Sequence, residues 1–276
     1  MGGDRFLTDR TIKMQLGASL MAFFDQTPPS AQLLLAEAVE ELVALNLGIE
    51  VWASWKKGDP DPDATDIARI RTLGATAPFV SVHVRKELWR WDPQGLSREL
   101  AFCRGIGAGT LVLHRESIGL YTPSSRPDFP AIVRFAKEAE HAGVRLALKN
   151  GRDTMWALDR VLEAIGDDPE RTNLGICIDV GHAHLSQDAG RQPIRNYLER
   201  YRGQLIHIHL HDNLREEDYR LSPGEGSIDW PALLQTLDTI GYSGPGVLEL
   251  KPKGDPIAAI VQARDFLTKQ KIEICR

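Results

Sequence analysis

Histidines, acids and one lysine stand at the ends of short apolar runs in this chain. PFVSVHV, TLVLH, VRLALKN, LGICIDV, LIHIHLH and GVLEL deliver, in order, His83, His114, Lys149, Asp179, the trio His207, His209 and His211, and Glu249. His182 follows just after Asp179, Asp212 directly after His211, and Lys251 soon after Glu249. Imidazole nitrogens with carboxylate oxygens suit Zn²⁺, Mn²⁺, Fe²⁺ or Co²⁺. The same groups serve as general acids and bases. One such histidine alone reads as a satisfied strand residue. Many ionisable groups gathered at one end of buried strands are costly unless they are paired or hold a metal. Lys149 is the odd member, because a charged lysine donates hydrogen bonds and has no lone pair for a hard cation.

The runs that must position these groups number eight: 13–19, 47–53, 78–84, 110–114, 144–150, 174–180, 205–211 and 246–250. Their starts lie roughly 30 to 40 residues apart, the length of one βα unit. Amphipathic helical patterns fill 31–46, 129–143 and 230–241, with weaker ones over 153–166 and 256–271. Several runs are continuously apolar, as in a parallel sheet covered by helices. Eight βα units predict an α/β fold, a (β/α)₈ TIM barrel in a single domain over 13–276, preceded by an N-terminal extension over 1–12. A doubly wound open sheet is the competing architecture, and no GxGxxG follows the first run. WKKGDPDPDATD (55–66) reads as an exposed connection. Sites form at the C-terminal edge of a barrel, where the polar residues fall. Strand parity puts residues 207, 209 and 211 on one face. It predicts His209 near the rim, His207 deeper and structural, and His211 in the mouth.

The 276 residues are 42% hydrophobic and 26% charged, with a formal net charge of −5. That balance gives no electrostatic footprint for nucleic acid or anionic lipid. The three cysteines, Cys103, Cys177 and Cys275, are widely spaced without a CxxC, so a disulfide framework is not expected. Cys177 reads as a small core residue. MGGDRFLTDR has no apolar signal core, and no run approaches ~18 apolar residues. A cytoplasmic protein without membrane partners is the expectation.

ICIDVGHAHL, IHIHLHDN and PGEGSIDW, followed by GVLELK, resemble the xylose-isomerase-like TIM barrels from about residue 13 to the C-terminus. That group includes sugar phosphate isomerases and epimerases and, more distantly, endonuclease IV-type abasic-site nucleases. In the epimerase branch the resemblance implies one divalent ion, held by residues ending strands five to eight. Asp179, His209 and Glu249 match three of them, while the usual LALEN reads LALKN here and puts Lys149 at the fourth. The nuclease branch adds ligands that match His83, His114 and His182. Its Asp–x–His pair falls on Asp218 and Arg220, so that pair is broken.

The resemblance implies proton transfer next to a carbonyl, with glutamates on opposite faces of the substrate and a metal polarising its oxygens. Glu249, Lys149 and His209 are the catalytic candidates, Lys149 as opposing acid or as the electrophile in place of the metal. A Schiff base on Lys149 requires a depressed pKa. His83, His114, His182, Trp52, Arg220 and Lys251 are the substrate-binding candidates, and Asp179, His209 and Glu249 the metal ligands. Two states of the centre stay open: a salt-bridged one without metal, and a rearranged set holding one divalent cation (Mn, Zn, Mg or Co). A third places the Lys149 ammonium in solvent.

In SPGEGSIDWP, Asp229 is a candidate N-cap, and the loop amides either grip a phosphate or hydroxyl or form a structural turn. Trp52, Trp55, Trp89 and Trp91 either stack on a sugar or cover the rim. The expected function is a sugar, sugar phosphate or polyol isomerase or epimerase with a small-molecule partner, in a chain compatible with a homo-oligomer. The alternatives are a non-catalytic or metal-free sugar or metabolite binder and a metal-dependent abasic-site phosphodiesterase. The acidic balance opposes the last.

Overall fold

The eight apolar runs close into a ring. The computed structural model describes residues 12–24, 35–52, 61–152, 155–166, 172–186, 190–270 and 272–274. The strands are β1 Ile12–Ser19, β2 Gly48–Trp52, β3 Val80–His83, β4 Thr110–Leu113, β5 Arg145–Lys149, β6 Leu174–Asp179, β7 Leu205–Leu210 and β8 Pro245–Leu248. Each pairs in parallel with its successor, and β1 pairs with both β2 and β8 to close the barrel. The fold is a single (β/α)₈ TIM barrel. A ninth strand, β9 Ile272–Ile274, adds in parallel to β1 outside the ring.

The surrounding helices are α1 Met21–Phe24, α2 Leu35–Ala44, α3 Ala64–Gly74, α4 Pro93–Ile106, α5 Phe129–His141, α6 Trp156–Ile165, α7 Val180–Leu185, α8 Pro193–Arg200, α9 Trp230–Thr239 and α10 Pro256–Lys269. Four of them start alike. Asp92, Asp128, Asp229 and Asp255 each cap a free helical amide, and proline enters the first turn, where its missing N–H costs nothing. The expected connection over 55–66 is corrected in part: Ala64 to Asp66 form the first turn of α3, capped by Asp63. Residues 55–60, Trp55 among them, lie outside the described residues, as do residues 1–11 and Cys275. No described helix is long and apolar enough to cross a membrane.

The main apolar core lies between strands and helices, and includes Leu16, Ile49, Val82, Leu111, Leu146, Ile178, Ile208 and Leu248. A second, small cluster of Val112, Ala147 and Cys177 sits on the other side of the same strands, inside the barrel. Cys103 and Cys177 are buried free thiols. At the N-terminal end of the strands the Phe79 ring covers Gly17 and Gly48. A Cβ on Gly48 would fall 2.2 Å from a Phe79 ring carbon. Gly48→Ala is expected to lower stability by roughly 1–3 kcal/mol through this overpacking. A urea midpoint matching the wild type would count against that packing.

Candidate active site

Side chains alternate along each strand, so Lys149, Asp179 and His209 reach the same interior from the ends of β5, β6 and β7. Glu249 joins them one residue beyond β8. Lys149 is 2% exposed and the other three are fully buried. The ammonium therefore points inward, which overturns its placement in solvent. Lys149 Nζ lies 3.3 and 3.4 Å from the Glu249 oxygens, 3.5 Å from Asp179 Oδ2 and 3.4 Å from His209 Nδ1. Burial disfavours the ammonium, but Glu249 and Asp179 outweigh it and hold the Lys149 pKa above its ordinary value. That is the opposite of what a Schiff-base amine needs.

The acids are held just as firmly. Burial favours protonated Glu249, yet Arg220, Lys149 and His209 keep its carboxyl well below the usual range. Arg220 Nη1 lies 2.5 Å from Glu249 Oε2, and Arg220 Nε donates to Asp218 Oδ2 at 3.1 Å. Arg220 reaches both from a left-handed backbone, φ 51°. Asp179 Oδ1 accepts from His211 Nε2 at 2.7 Å and from the His182 amide at 2.9 Å, the second contact capping α7. Asn150 ties the ends of β5 and β6 together, accepting from Asp179 N at 2.7 Å and donating to its carbonyl at 3.2 Å.

The histidines divide into three layers. His209 stands between two acids: Nδ1 lies 3.0 Å from Glu249 Oε2, and Nε2 lies 3.0 Å from Glu50 Oε2. Burial opposes its charge, but Cys177, Glu50 and Glu249 lift its pKa well above the ordinary value. His207 lies deeper, as parity predicts, with Nε2 at 3.2 Å from Glu50. His83 donates from Nδ1 to the Val84 carbonyl at 2.9 Å, so its Nε2 is free to accept from His114 Nε2 at 3.2 Å. Trp52 stacks on His83 and Trp89 on His114, with centroids 3.9 and 4.0 Å apart.

His211 does not reach the mouth. It is buried on Asp179, under Gly181, where a Cβ would fall 1.9 Å from its ring. The amides of PGEGSIDW are also committed internally. Asp212 accepts from Gly224 N, Ile228 N and Trp230 Nε1 at 3.0, 3.1 and 2.8 Å, and the Asn213 carbonyl accepts from Ser227 N at 2.9 Å. The loop is the structural turn, and Asp229 caps α9 as expected.

A family model described as xylose isomerase-like TIM barrel matches residues 48–270. The chain belongs to the xylose isomerase-like TIM barrel family. An uncharacterized protein of Methanocaldococcus jannaschii is 28% identical over 160 residues, 53% of either chain. An inosose dehydratase of Yersinia enterocolitica is 27% identical over 157 residues, 48% of this chain and 50% of the relative. The chain thus spans about half the length of the curated relatives it matches. A solved D-tagatose 3-epimerase-like protein shares the fold with TM-score 0.70 and 20% identity, covering 93% of this chain and 97% of that one.

Within this xylose isomerase-like barrel, three buried groups among the described residues could hold a metal: Asp179–His209–Glu249, Asp179–His182–His211 and Glu50–His207–His209. The first is the set implied by the resemblance, and its residues do not fit a divalent ion as they stand. Lys149 already faces both of its carboxylates, and Arg220 takes Glu249 as well. A cleft of about 940 Å³ opens above, lined by Trp89, His114, Lys149, His182, Arg220 and Lys251. Lys251 is exposed at its edge, and His182 Nε2 lies 3.2 Å from Asp218 Oδ2. Glu50 is the residue that sequence reasoning missed. The signal was a lone acid inside the apolar run LGIEVWA, on the same parity as Trp52.

Proposed function

We propose that the chain binds a sugar or related polyol in the cleft and moves a proton next to its carbonyl, with the Lys149 ammonium as the electrophile. One observation carries this reading: Lys149 is buried among Glu249, Asp179 and His209 and also lines the cleft. Its contacts of 3.3–3.5 Å exceed the ~2.7–2.9 Å of strong charge-assisted bonds, so its N–H groups can turn to a substrate oxygen. A carbonyl oxygen placed there gains negative charge as the adjacent carbon loses its proton, and a fixed cation stabilises that charge. Glu249 is the proposed proton acceptor and His209 the group that orients it. His83, His114, His182, Trp52, Arg220 and Lys251 are proposed to hold the substrate. The inosose dehydratase relative favours a polyol ketone. Water elimination from such a ketone starts with the same proton abstraction, so a dehydratase is the second reading. The proposed setting is cytoplasmic.

Solvent deuterium exchange into a panel of ketoses and inososes, followed by NMR, tests both readings. Exchange is expected with chelator present, and Lys149→Met is expected to slow it roughly 10²–10³-fold. Exchange that needs added Mn²⁺ would restore the metal-dependent version. Thermal shifts with sugars but no exchange would leave a binding barrel, and chelator-sensitive cleavage of an abasic duplex would point to the phosphodiesterase.

A further inference from the structure

Below the cleft, on the opposite edge of the His209 ring, lies a polar cluster of which the proposed reaction uses only His209. Glu50, His207 and His209 are all fully buried. Both Nε2 atoms converge on Glu50 Oε2, from 3.2 Å for His207 and 3.0 Å for His209. The two imidazoles stand nearly perpendicular, 77° between planes, with centroids 5.4 Å apart. Ligand atoms on a tetrahedral Zn²⁺ with bonds of ~2.0–2.2 Å lie about 3.3–3.5 Å from one another. The observed spacings are short of that by a few tenths of an ångström.

Two further features point to a ligand here. Glu50 Oε1 is buried and accepts no hydrogen bond within the protein. Atoms of this kind call for an ion or a water, since an orphaned buried group is costly. The Cys177 thiol interacts with His209, and Cys177 is paired in register with His207 on the neighbouring strand. The thiol lies beside the cluster, while one oxygen and two nitrogens close on one another. Finally, His209 Nδ1 lies 3.0 Å from Glu249 Oε2. An ion on Nε2 would leave Nδ1–H to donate to that carboxylate, the arrangement that fixes and strengthens metal-binding histidines. Whereas Lys149 and Arg220 face the acids of the upper set, the charges acting most strongly on Glu50 are the two histidines.

We propose that Glu50, His207 and His209 form a divalent transition-metal site of the Zn²⁺ class inside the barrel. This site goes beyond the proposed reaction and stands apart from its substrate. The ion fixes β2 to β7 across the barrel and holds His209 beneath Glu249. The donor set of two nitrogens and one oxygen suits Zn²⁺ or Co²⁺ over Mg²⁺.

The full chain, purified without chelator from zinc-supplemented cells, is expected to carry about one equivalent of Zn²⁺. X-ray absorption at the zinc edge should show two imidazoles with oxygen neighbours. Co²⁺ exchanged into the site should give the visible absorption of four-coordinate cobalt, lost in His207→Gln. Glu50→Gln and His207→Gln should each lower zinc to below ~0.1 equivalent, while Asp179→Asn keeps it. Either of two results overturns the site. One is wild-type protein that stays below ~0.1 equivalent after reconstitution with Zn²⁺. The other is zinc lost in Asp179→Asn but kept in His207→Gln. The wild-type content and absorption spectrum decide the matter even where a variant fails to fold.

Discussion

Replacing Lys149 by methionine should lower the stability of the barrel by roughly 3–5 kcal/mol at pH 7, the cost of leaving one side of a buried ion pair uncompensated. The substitution keeps an unbranched apolar stem and removes the terminal ammonium with its charge and donors. Glu249 would retain Arg220 and His209, and Asp179 would retain His211, so the loss falls on a network and not on one bond. Lys149→Glu goes further, placing another carboxylate beside Glu249 and Asp179. That variant is expected to be unfolded or severely weakened alone and to recover with a divalent ion. Its unfolding free energy should rise by about 1.4 kcal/mol per tenfold increase in free Mn²⁺ above the dissociation constant. Urea titrations of wild type and both variants, with Mn²⁺ varied, check this. A Lys149→Met protein as stable as the wild type would mean that the ammonium is not what compensates the acids. A Lys149→Glu protein no more responsive to Mn²⁺ than the wild type would mean that Asp179, His209 and Glu249 no longer form an ion-binding frame.

The barrel was legible because most strands are largely apolar on both faces except where they meet the site; β1, with Lys13 and Gln15, is the exception. All eight runs became strands, with ends within about two residues of those expected. The helices missed were α1, α3, α4, α7 and α8. PQGLSRELAFCRGI is a helix whose buried face alternates apolar residues with Gly95 and Glu99, which blurs its periodicity. α7 is only six residues long and is set by the Asp179 cap, a contact that depends on the strand before it. In the site, Lys149, Asp179, His209 and Glu249 could be grouped from strand ends alone. The depth of His211 could not, because it depends on Gly181 leaving space over its ring. Likewise, the PGEGSIDW amides look free in the sequence until Asp212 is seen to take them. Glu50 stayed hidden because its partners lie on β7, across the barrel.

Acid should unfold this protein well before its carboxylates titrate. Burial, with Lys149 beside it, pushes His83 down to about 3, and burial likewise lowers His114 and His207. A histidine held neutral in the fold contributes stability that is complete above its unfolded pKa of about 6.5 and is lost as the pH falls. Glu99 works in the other direction. Burial raises it to about 7 although Arg85 lies 2.8 Å away, so its contribution is complete below about 4.5 and fades as the pH rises through 7. His209, raised by its acids, also favours the acid side, and it is charged in both states near pH 5, so it adds no slope there. The unfolded state therefore binds more protons than the folded state near pH 5, and stability falls as the pH drops. Below about pH 4, Asp179 and Glu249 add to the loss, because their folded pKa values lie well under the unfolded ones. Urea midpoints measured from pH 7 to pH 4.5 should fall steeply, and His83→Gln should make the slope shallower by about 1.4 kcal/mol per pH unit. A flat profile down to pH 5 would mean that the buried histidines take up protons without leaving the fold, and that the cleft admits more water than their burial implies.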